Sequence, residues 1–70
     1  MTAEHFLIGY IQDAKEHIEA AIENLGKFMV QADPQSEDAE INLIGIGNIK
    51  EELKDFWEEH EGIFHEIIGG

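Results

Sequence analysis

The sequence predicts an all-α chain: a long helical hairpin that pairs with a second copy into an antiparallel four-helix bundle. Three observations point there. Apolar residues recur in 4-3 spacing through both halves of the 70 residues, the only proline stands between the halves, and there is no cysteine. A chain this short buries only about 60% of its unfolded surface, and ordering it costs roughly 1.5 kcal/mol per residue. With neither a disulfide nor a thiolate zinc site to supplement the core, association with a second copy is the remaining route.

The first helix is expected over about residues 3–31. Leu7, Ile11, Ala14, Ile18, Ala21, Leu25, Phe28 and Ala32 form its seam, and Ile8, Ile22 and Met29 widen that seam on one flank, as a bundle requires. Thr2 is placed to cap it, with Glu4 near the positive end of the dipole. Such a helix would be roughly 43 Å long, too long for a compact globule of this size, whose radius of gyration should be near 11 Å.

Residues 32–37 form the turn, because proline restricts the residue before it and Asp33 and Ser36 favour caps and bends. Ser36 followed by Glu37 and Asp38 reads as a new helix start. Residues 38–47 are ambiguous: Gly45 and Gly47 each cost about 1 kcal/mol in a helix, and Ile41, Leu43, Ile44 and Ile46 would also suit a short strand. The preferred reading is a short helix interrupted near Gly45 to Gly47. Asn48 then caps a last helix over about residues 49–68, with Glu51 completing an Asn-x-x-Glu capping box. The seam of this helix is Ile49, Leu53, Phe56, His60, Ile63 and Ile67, with Trp57 and Phe64 on its flank, and Gly69-Gly70 ends it.

The charge of −12 argues against direct nucleic-acid binding and against docking on anionic membranes. With no basic-then-apolar leader and no run long enough to span a bilayer, a cytoplasmic protein is expected. The apolar share of 43% is too high, and too regularly placed, for a disordered acidic tail. The charge is also uneven: residues 1–32 sum to −3 and residues 33–70 to −9.

No catalytic residue is expected. The one serine, Ser36, lies in a polar turn, and most carboxylates fall on a solvated helix face where their acidity stays ordinary. No cofactor or metal is expected either. His5 and His65 would meet near one end of the hairpin with Glu4, Glu61 and Glu66 in reach, a ferritin-like alternative, yet the chain has no Glu-x-x-His pair. His60, on the apolar seam, reads as a hydrogen-bonded core histidine or a register-setting polar residue, with a pH-dependent dimer as the further possibility. Gly45-Ile46-Gly47-Asn48 lacks the rest of a phosphate loop. The Gly-Gly end resembles that of ubiquitin-like modifiers, but those are β-grasp domains, and it reads instead as terminal capping.

What remains is an interaction protein. Glu51, Asp55, Glu58, Glu59 and Glu66 recur about once per turn along the last helix and would meet a protein partner with a basic surface, with Trp57, Phe64 and Tyr10 as apolar anchors. A narrower alternative is imitation of DNA, since steps of roughly 6 Å approximate the spacing of phosphates along a strand. In size and charge the chain resembles the small acidic helical inhibitors of phages and mobile elements. No motif ties it to one of their families.

Overall fold

A computed structural model describes the backbone of residues 2–69 and the side chains of residues 7–69. Two helices, α1 (Thr2–Gln31) and α2 (Glu37–Gly69), pack as a hairpin, and no strand occurs among the described residues. The molecule measures 55 × 19 × 15 Å, with a radius of gyration of 16.2 Å against about 11 Å for a compact chain of this length. Helix length dictates that shape: 33 residues of α2 extend about 50 Å at 1.5 Å each.

The turn is closed by local bonds. Phe28 O accepts the Ala32 amide at 2.8 Å to finish α1, and Gln35 Nε2 donates to Asp33 O at 3.2 Å. Ser36 then caps α2 as its position suggested: its Oγ accepts the Ala39 amide at 3.1 Å and its carbonyl accepts the Glu40 amide at 3.0 Å. Such a cap contributes about 1 kcal/mol. Glu37, Asp38 and Glu40 in the first turn add favourable charge at the positive end of the helix.

The expected interruption at Gly45 to Gly47 does not occur. α2 runs unbroken through it, Asn48 lies inside the helix and caps nothing, and no glycine among the described residues has positive φ. Packing accounts for one of the two glycines. A Cβ on Gly47 would lie 3.1 Å from Met29 Cε, and one on Gly26 would lie 3.5 Å from Lys50 Cε, so both mark where a long side chain of the opposite helix crosses. The backbone cost of about 1 kcal/mol per glycine is smaller than what the continuous inter-helix seam supplies. Around Gly45 there is only open space.

The phase of the seam also differs from the sequence reading. In α1 the inward row is Ile8, Ile11, Lys15, Ile18, Ile22, Leu25 and Met29, all half-buried; in α2 it is Leu43, Ile46, Lys50, Leu53, His60 and Phe64, half-buried, with Trp57 buried. Residues read as flanks (Ile8, Ile22, Met29, Trp57, Phe64) thus point inward. Leu7, Phe28, Ile49, Phe56, Ile63 and Ile67, read as seam, are exposed in the hairpin. Trp57, at 5% exposure, is the core, and Phe64 meets it edge-on with ring centroids 5.0 Å apart. The chain keeps 5552 Å² of accessible surface, where a compact protein of 7.9 kDa would keep about 4,400 Å².

Candidate functional site

A helix of a hairpin has an inner side, two flanks and an outer side, and antiparallel packing places like flanks together. One flank here is tight and largely polar. Gly26 and Gly47 lie on it, beside Lys50 and Met29, and Gln12, Glu19 and Lys54 belong to the same rows. The other flank is apolar: Leu7, Ala14, Ala21 and Phe28 follow one another at steps of seven on α1, and Ile49, Phe56 and Ile63 do so on α2. Two shallow grooves open on this side. One, of about 420 Å³, is lined by Ala21, Asn24, Leu25, Phe28 and Ile46; the other, of about 360 Å³, lies at the turn between Phe28, Pro34 and Ala39.

The outer side of α2 carries the charge. Glu51, Asp55, Glu58, Glu59 and Glu66, joined by Glu52, are all exposed within an arc of roughly 120°. No lysine shares that arc, because Lys50 lies on the inner row and Lys54 on the polar flank. Among the described residues the ion pairs all belong to α1: Lys15 Nζ to Glu19 at 3.0 Å, Lys27 Nζ to Glu23 at 3.5 Å and His17 Nδ1 to Asp13 at 3.6 Å. None of them neutralises an acid of α2.

The expected aromatic anchors separate. Tyr10 is 74% exposed on α1. Trp57 is not a surface group, since the facing helix covers it, and Phe64 is half-buried against it. Sequence reasoning missed Phe56 as a surface residue. It is exposed, with the His60 ring stacked on it at 4.3 Å and 22°, while His60 Nδ1 donates to Phe56 O at 2.8 Å. His60 is thus hydrogen-bonded and half-buried at the edge of the apolar side. The signal that could have exposed Phe56 is the row 49, 56, 63, which runs apolar at steps of seven beside a second complete row at 43, 46, 50, 53, 57, 60 and 64.

The histidine and carboxylate set proposed for a metal divides as well. His5 and Glu4 lie outside the residues whose side chains are described; His65 and Glu66 are exposed and Glu61 is half-buried. No group of three potential ligands occurs among the described residues.

The acidity of His17 is shifted by its neighbours on α1. Its Nδ1 donates to Asp13 O at 2.7 Å, and that bond, followed by the Asp13 carboxylate and then Glu16, holds its pKa above the ordinary 6.5. The folded chain therefore favours the protonated ring. Its contribution is fully present below pH 6.5 and is lost as the pH rises through the raised value. Proton NMR should show His17 titrating above 6.5, with Asp13→Asn bringing it part of the way down because the backbone bond survives. Titration at or below 6.5 in the unsubstituted chain contradicts this geometry.

No described helix is long and apolar enough to cross a membrane. No family model matches the chain, and neither a curated protein nor a solved structure matches it.

Proposed function

We propose that this chain is a non-enzymatic interaction protein: a homodimer of hairpins, forming a four-helix bundle, that presents the acidic outer side of α2 to a basic surface on a protein partner and so modulates or inhibits it. The observation that carries this reading is the unneutralised row Glu51, Asp55 and Glu58 with its neighbours, held in line by an uninterrupted helix with no lysine on the same side. A field of one sign steers association with the opposite sign and raises its rate most at low salt. The shallow grooves are open and apolar, and no cluster of ionisable groups converges on them, which favours binding over catalysis.

The test is capture from a lysate on the unsubstituted protein and on a Glu51→Gln, Asp55→Asn, Glu58→Gln variant, at about 0.1 M and 0.5 M salt. Screening lengths near 10 Å and 4 Å at those concentrations bracket the distances over which these carboxylates act. The expected result is a partner retained at low salt by the unsubstituted chain, and lost by the variant or at high salt. A partner held equally by both, at both salts, rejects the acidic side as the contact. Displacement of the captured partner by duplex DNA selects the DNA-mimic form of the reading. Failure of duplex DNA to displace it leaves an ordinary protein contact.

A further inference from the structure

The apolar flank and the turn together specify how the second copy docks. Inner residues of the two helices meet in layers counted from the turn, and the grooves mark the levels: Leu25 shares one with Ile46, and Ala32 shares the other with Ala39. Extended at 1.5 Å per residue along both helices, that register implies the level of Ile49 for Ala21, of Phe56 for Ala14 and of Ile63 for Leu7 on the apolar flank. On this flank α1 is therefore small where α2 is large, except near the open end.

We infer that a second copy of this chain covers the apolar flank about a two-fold axis parallel to the hairpin, with both turns at the same end and α1 of each copy lying against α2 of the other. This rests on the homodimer proposed above and adds its face and orientation. Shape is the first reason. In this orientation Phe56 of one copy lies over Ala14 of the other and Ile49 over Ala21, where the groove between Ala21 and Phe28 opens. The alternative axis, perpendicular to the hairpin, sets alanine over alanine and Phe56 over Ile49, which leaves gaps along one helix pair and crowding along the other.

Charge is the second reason. The outer rim of the flank is acidic on α2, with Glu52, Glu59 and Glu66, whereas on α1 it is Tyr10, His17 and Asn24; Tyr10 and Asn24 can donate hydrogen bonds to carboxylates, as can His17 through Nε2 when its ring is protonated. With α1 against α2, each acidic rim faces a donating rim. With the perpendicular axis, acidic rim faces acidic rim, and the two halves that carry −9 each become neighbours at the 8–10 Å of packed helices.

Area is the third reason. Leu7, Phe28, Ile49, Phe56, Ile63 and Ile67 are between 43% and 61% exposed. At roughly 200 Å² per fully exposed side chain of this size, they leave about 630 Å² uncovered per copy, or about 1,300 Å² in a pair. Stable interfaces bury about 1,200–2,000 Å². Covering this flank also removes over half of the excess surface of the single hairpin.

The test places one spin label on the exposed turn through Gln35→Cys, in a chain that has no other cysteine. Pulsed dipolar spectroscopy should give one distance between copies of about 20–30 Å, the width of a four-helix bundle. Because the hairpin is 55 Å long, turns at opposite ends would put the labels about 50 Å apart. A dimer by light scattering with the long distance overturns the orientation and leaves the homodimer standing. A monomer by light scattering with no dipolar signal overturns both.

Discussion

Trp57→Ala should cost about 3–5 kcal/mol, as loss of a buried aromatic side chain does when its surroundings cannot collapse. Against the roughly 4–10 kcal/mol available to 70 residues, that removes a third or more of the stability and lowers the melting midpoint by at least about 12 °C. The effect is large because nothing else in the described chain reaches Trp57's burial, and because Phe64, which meets it edge-on at 5.0 Å, loses its partner in the same step. Thermal melts followed by circular dichroism decide it. A midpoint within a few degrees of the unsubstituted chain would mean that the Trp57 cluster is not the core.

Phe56→Glu, one residue earlier, has the opposite signature. In an isolated hairpin Phe56 is half exposed, so a glutamate there loses mainly the His60 stack and costs under about 1 kcal/mol. Under a second copy the same carboxylate is buried over Ala14 and opposite other apolar groups, which costs several kcal/mol per copy. The unsubstituted protein should therefore melt at a midpoint that rises with concentration, whereas Phe56→Glu should be monomeric by light scattering with a concentration-independent midpoint. Equal masses and equal midpoints for the two would move the interface off this flank. The two substitutions also check each other, since Trp57→Ala attacks the hairpin itself and Phe56→Glu only its pairing.

Much of the architecture is legible in the residues. Ala3 to Gln31 contains no proline, Pro34 and Ser36 end one helix and start the next, and the Ser36 cap forms where the residue type suggests. The glycines were harder to read. Gly47 looks like a break because helix propensity counts only the backbone, whereas at this position a missing Cβ admits Met29 from the facing helix. Glu51, Asp55, Glu58, Glu59 and Glu66 could be placed on the outer side of α2 from periodicity alone, because their spacing sets them away from both apolar rows. The fate of Trp57 could not be read the same way. Trp57 and Phe56 are adjacent, both apolar, and each belongs to a complete row.

The sequence by itself determined two helical arms, one turn, an apolar stripe too broad for one partner helix and an excess of charge in the second arm, but not that the second arm is a single helix. These follow from local rules: residue spacing, proline and capping chemistry, and charge count. Only the tertiary structure decided which half of the broad stripe the hairpin spends on its own seam. That choice depends on the rotation of each helix about its axis, and rotation is set by contacts between residues far apart in the chain: Met29 crossing Gly47, Lys50 crossing Gly26, Trp57 filling the space between the helices. A rotation of α2 by about 100°, the angle between successive helical residues, would put Phe56 in the place of Trp57 while leaving every local signal unchanged.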